Sequence, residues 1–105
     1  IFFGSITAKL KAMIDRFQCF WVAKYIYKKT LFKDKKKRLG VFVSCQAANK
    51  KSFFENAQSI IKNLFVTIDV AYAYELFCYD VEKKGDVLKY SKIIKNAFDL
   101  GKKLT

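Results

Sequence analysis

The sequence predicts an α/β fold built on a parallel sheet, and three observations carry that prediction. Apolar residues recur at helical spacing in three segments, two short runs rich in β-branched and aromatic residues stand apart from them, and helix and strand patterns alternate along the chain. Strands alternating with helices of this length imply parallel βαβ crossovers with helices on the faces of the sheet.

The elements follow in order. Ile1-Phe2-Phe3 reads as the end of a first strand, closed by the turn residues Gly4 and Ser5. Ile6, Leu10, Met13, Ile14 and Phe17 then share one helical face, with Ser5 placed to cap the helix through its hydroxyl. The pattern runs on through Phe20 and Trp21, is interrupted by Lys24, resumes at Tyr25 and extends toward Lys28, with or without a break. Residues 28–38 are dominated by Lys and Arg and predict a solvated connection. The run LGVFVS at 39–44 reads as a strand buried on both faces. Helical period returns from Ser52 with Phe53, Phe54, Ala57, Ile60, Ile61, Leu64 and Phe65. A second strand-like run, VAYAYELFCY, spans 70–79. After a turn at 82–86, Tyr90, Ile93, Ile94, Ala97, Phe98, Gly101 and Leu104 mark a closing helix. Three strands, one of them a stub, are few for a parallel sheet, whose open edge is a liability. The expectation is a single partial domain over 1–105, the C-terminal portion of a larger doubly wound sheet.

Composition narrows the function. A chain that is 52% hydrophobic and 17% aromatic forms a packed core and is not disordered. No apolar run is long enough to predict a membrane span. Cys19, Cys45 and Cys78 lie too far apart for a zinc pattern, and their odd number argues against a disulfide framework, so a reducing, cytoplasmic setting is expected and no metal site is predicted. The net charge of +12 comes from 21 Lys and Arg against 9 acids, but Arg occurs only as Arg16 and Arg38. Arg is the preferred fork for phosphates and base edges, so the charge reads as a Lys-rich surface more than as a nucleic-acid interface. With no His, the usual general acid or base at neutral pH is missing, and no catalytic side chain is assigned.

Three segments resemble the flavodoxin-like NAD(P)H-dependent FMN reductases, a group that includes iron–sulfur flavoproteins. IFFGSITAKLKAMIDRF matches the family's third strand and helix at Phe2, Phe3, Gly4, Ser5, Ala8, Leu10, Lys11, Ile14, Asp15 and Arg16. The family's Pro would fall just before Ile1, and Phe2 stands where Tyr is common. RLGVFVSCQA is similar to the fourth strand and its loop, and GDVLKYSKIIKNAFDLGKKL to the closing helix. The resemblance implies a flavodoxin-like three-layer αβα domain with strand order 2-1-3-4-5, of which this chain supplies strands 3, 4 and 5 and their helices. It further implies FMN as cofactor, NADH or NADPH as electron donor, and homo-oligomerisation. The phosphate-binding loop would lie outside these residues, so FMN binding by this chain alone is expected to be weak.

By the same resemblance, Phe2, Phe3, Gly4 and Ser5 would contact the flavin, and Ser44, Cys45, Gln46 and Ala47 would line its pyrimidine edge, largely through backbone groups. Many relatives carry glycines where Gln46-Ala47-Ala48 stands here, and Gln46 would hydrogen-bond a flavin carbonyl. From the residues alone, Gly4 and Ser5 make an ordinary strand–helix turn and Cys45 is a small buried hydrophobe. The aromatic stretch Phe17, Phe20, Trp21, Tyr25 and Tyr27 reads either as core or as a subunit interface. A cofactor-free interaction module with a basic surface is the alternative function.

Overall fold

A computed structural model describes residues 1–105. In chain order it contains α1 (Ala8–Asp15), α2 (Gln18–Trp21), a π-helical turn at Val22–Ile26, β1 (Arg38–Cys45), α3 (Lys51–Thr67), β2 (Val70–Cys78), a 3₁₀ turn at Asp86–Lys89 and α4 (Ser91–Leu104). β1 and β2 pair in parallel through the α3 crossover, giving a mixed α/β architecture with a two-stranded sheet.

The first strand does not form. Phe2 and Ser5 instead exchange both backbone hydrogen bonds at 3.0 Å, making a tight turn on Phe3 and Gly4. Both central residues have positive φ, 47° and 73°, the signs of a type I′ turn. Ser5 is thereby drawn into the turn and does not cap α1. Thr7 does, its Oγ1 accepting from the Leu10 N–H at 3.2 Å. The first helical stretch breaks at Arg16 and Phe17, restarts as α2 and ends in the π turn. Lys24, which interrupts the apolar pattern, reaches across to the Asp69 carboxylate and the Val66 carbonyl. There its ammonium sits at the C-terminal end of α3, where the helix dipole favours a cation.

The core lies between the sheet and α3. Phe54 is fully buried, stacked on Phe77 with ring centroids 4.4 Å apart and meeting Tyr79 edge-on at 5.0 Å. Ile6, Phe42, Ala57 and Ile61 form the adjoining cluster, against which Leu10 and Ile14 of α1 pack. Side chains alternate along a strand, so Phe42 and Gly40 face α3, whereas Leu39 and Val43 face away and stay exposed. The strand predicted to be buried on both faces is therefore covered on one only. α4 borders Tyr74 and Leu76 of β2 and does not extend over β1, and its own Ile94 and Phe98 remain exposed. The radius of gyration, 15.8 Å, exceeds the ~13 Å of a compact chain of about 100 residues.

One polar network crosses the sheet–helix interface. The Tyr72 hydroxyl donates to Glu75 Oε2 at 2.6 Å, and the Gln58 amide donates to both residues. Burial, then the hydrogen bond to Glu75, pushes the Tyr72 phenol up from 10.0 to about 12. A phenol harder to ionise when folded stabilises the fold fully below pH 10, and that contribution is lost as pH rises toward 12. Alkaline titration followed by circular dichroism should show this loss of stability in the native chain and a shallower one in Tyr72→Phe.

Candidate functional site

The resemblance-derived residues converge at the carboxyl ends of the two parallel strands, where open α/β sheets bind ligands. The main-chain nitrogen of Ile1 donates to the Cys45 carbonyl at 2.8 Å, setting the Phe2–Ser5 turn beside the end of β1. Ile6 then enters the core next to Phe42 and anchors the turn from its other side. Gly4 is buried under Phe53 of α3, and a Cβ there would meet the Phe53 ring at 3.0 Å. With φ at 73° as well, this position requires glycine.

Phe3 is the strained member. Its φ of 47° is unfavourable for a bulky residue, and its side chain is fully exposed, with Phe2 67% exposed beside it. Strain of this kind persists where surrounding structure enforces it and gathers at ligand sites. The two central amides of the turn, those of Phe3 and Gly4, donate no backbone hydrogen bond.

The second segment is bound more tightly to the protein than the sequence suggests. The Gln46 N–H donates to the Cys78 carbonyl at 2.9 Å and its own carbonyl accepts from the Val81 N–H at 3.0 Å, so the strand pairing continues one residue past β1. Its side-chain amide donates to the Lys50 carbonyl at 2.8 Å, closing the loop into α3. The side chain of Gln46 is therefore a buried loop brace, 3% exposed, with its backbone N–H and carbonyl both paired and one amide N–H committed to Lys50. Its Oε1 is buried without a partner. Ser44 and Cys45 are half-buried, and Ala47 is exposed at the tip. Asn49 donates to Asp80 at 3.3 Å, tying this loop to the one after β2.

The two concavities of the molecule lie elsewhere. One, of about 270 Å³, runs between the first helical stretch and α3, lined by Ile14, Phe17, Trp21, Ile60 and Leu64 among others. The other, of about 320 Å³, separates β2 from α4. Neither includes a residue of the Phe2–Ser5 or Ser44–Ala47 segments. No group of three or more His, Cys, Asp or Glu side chains gathers that could hold a metal ion. No helix is long and apolar enough to cross a membrane.

Sequence reasoning missed the Ile1–Cys45 link, the positive φ of Phe3 and the bracing role of Gln46. Aromatic residues give no local signal for left-handed backbone. The Gln46 brace depends on contacts that only the assembled strands create. Gly after an apolar pair was the one legible cue to the turn. In comparisons with known proteins, no family model, curated protein or solved structure matches this chain.

Proposed function

We propose that this chain is part of an FMN-binding, flavodoxin-like oxidoreductase that takes electrons from NADH or NADPH. The observation that carries the reading is the convergence of the Phe2–Ser5 turn and the Ser44–Ala47 loop at the carboxyl end of the parallel strands, joined by the Ile1–Cys45 hydrogen bond. The placement of α3 on one face of the sheet and α4 against the alternate side chains of β2 supports a three-layer αβα arrangement, in which β1 and β2 take the fourth and fifth strand positions.

The residues present fit a flavin in part. Phe2 and Phe3 offer exposed aromatic surface for a planar ring, Gly4 gives close backbone approach, and the Phe3 and Gly4 amides remain as donors toward its polar edge. Ala47 is the exposed residue of the second loop, with Cys45 and Ser44 half-buried behind it. When bound, FMN supplies the redox chemistry, so a chain without His needs no side-chain acid or base. The work of this chain is to orient the ring and to shield it from water.

FMN fluorescence titration tests the reading, using this chain and a version extended upstream by a strand and a phosphate-binding loop. Tight quenching in the extended version and weak quenching in this chain are expected; no quenching in either rejects it. A paired variant probes the turn. Phe3→Gly should raise stability by about 1 kcal/mol by relieving left-handed strain, while weakening FMN quenching in the extended chain. A Phe3→Gly variant that binds FMN as tightly as the parent would remove Phe3 from the site.

A second reading draws on the aromatic segment. Trp21, Tyr25, Ile26 and Tyr27 are each at least 40% exposed, which suits a cofactor-free module that uses this patch as a subunit interface. Concentration-dependent association that Tyr27→Lys abolishes, in a protein indifferent to FMN, would favour it.

A further inference from the structure

Cys45 and Cys78 are the last residues of the two strands and are in-register partners. Neighbouring strands lie about 4.8 Å apart, inside the ~4.4–6.8 Å range of Cα separations that a disulfide bridges. The side chains also share a face. Gly40 and Phe42 point toward α3, so Cys45, by alternation, points to the other side. Phe77 stacks on Phe54 of α3, so Cys78 points away from α3 as well. Both thiols are free, and they differ in access: Cys45 is half-buried and Cys78 is only 2% exposed. Burial, and then the Cys45 thiol beside it, pushes the Cys78 thiol up to about 11.

We propose that Cys45 and Cys78 form a dithiol site that a low-molecular-weight disulfide converts to an intramolecular bridge. The Cys45 thiolate attacks one sulfur of the reagent, forming a mixed disulfide and releasing the first half as a thiolate. Cys78 passes its proton to the thiolate that the first step expelled and attacks the Cys45 sulfur, breaking the mixed disulfide and releasing the second half of the reagent. Two protein thiols are oxidised, and one small disulfide is reduced to two thiols. Cys78 is closed to bulk reagents and reacts only with its neighbour, so a small disulfide enters through Cys45. A bridge across adjacent strands spans a single strand spacing and remains open to reduction by a small dithiol. The site stands on strand register alone and does not depend on flavin binding.

The test uses oxidised glutathione as reagent on the native chain, followed by mass spectrometry without reduction. The expected product carries a Cys45–Cys78 bridge, a loss of two hydrogen atoms set beside any glutathione adduct on the exposed Cys19, yields a tryptic pair joining residues 39–50 to 63–83, and returns to the starting mass with dithiothreitol. Cys19→Ser should give the same bridge. Cys78→Ser should stop at a stable glutathione adduct on Cys45. A lasting adduct on Cys45 in the native chain, or a bridge that requires Cys19, overturns the proposal. Circular dichroism of each variant separates loss of the bridge from loss of the fold.

Discussion

Phe54→Ala is expected to destabilise the fold by about 3–5 kcal/mol, the largest effect of any single truncation in this chain. Phe54 is the one large side chain that is wholly inaccessible to solvent, and it joins the end of β2 to α3 by stacking on Phe77 and meeting Tyr79 edge-on. Removing the ring discards its apolar burial, leaves a cavity and abolishes two aromatic contacts worth about 0.5–1.5 kcal/mol each. The core has few other members, Ile6, Phe42, Ala57, Ile61 and Cys78 among the buried apolar residues, so little is left to collapse into the space. Domains of this size are stable by only about 5–15 kcal/mol, and this truncation therefore removes a large share. Urea denaturation followed by far-ultraviolet circular dichroism gives the check, with Phe54→Leu as the control. The Leu variant should lose clearly less, because it retains most of the volume. Equal, small losses in both would mean that the ring is not the centre of the core.

How far the sequence reveals this arrangement depends on the range of the interactions involved. The helix over Lys51–Thr67 is legible because Phe54, Ala57 and Ile61 repeat at the helical period, and both strands because they are short apolar runs rich in β-branched and aromatic residues. The closing helix is legible for the same reason. The predicted first strand is not formed, because three apolar residues carry no period and the positive φ of Phe3 turns the chain back on itself at Ser5. The capping prediction failed with it. Ser5 has the right chemistry, but the turn holds its backbone and leaves Thr7 at the helix start. Burial of 39–44 on both faces was inferred from uniform apolarity, which reports what a strand tolerates rather than what covers it. Leu39 and Val43 are exposed because α4 stays over β2. At the candidate site, Gly4 and the order of the two segments could be read from the sequence. The use of Gln46 as a brace could not, since its partners lie on β2 and at the entry to α3.

Gly40 offers the second large effect and links packing to strand register. A Cβ added at Gly40 would lie 2.2 Å from the Phe65 ring, well inside van der Waals contact, and the ring also packs against Tyr72 at 6.0 Å between centroids. Alanine in place of glycine within a strand should gain about 0.5–1 kcal/mol from the more restricted unfolded chain. Overpacking of a fitted ring costs about 1–3 kcal/mol, so the clash prevails and Gly40→Ala is expected to destabilise the protein by roughly 1–2 kcal/mol. Phe65→Ala removes the obstacle at its own loss of packing. In the double variant the clash disappears, so the two losses should add to less than their sum, with a coupling of about 1–2 kcal/mol in a double-mutant cycle read by urea denaturation. Strict additivity would show that the Phe65 ring swings aside without loss. The position matters beyond packing, because the pairing shifts by one residue between Gly40 and Val41: Gly40 faces Tyr72, whereas Val41 faces Tyr74. This bulge returns Glu75 and Phe77 to the side of α3 after Tyr72, and it sets Cys45 opposite Cys78 instead of Phe77. A substitution that forced Phe65 outward and erased the bulge would therefore abolish bridge formation between Cys45 and Cys78 along with the stability. One that left the bulge intact would lower stability alone, and oxidation by glutathione disulfide distinguishes the two.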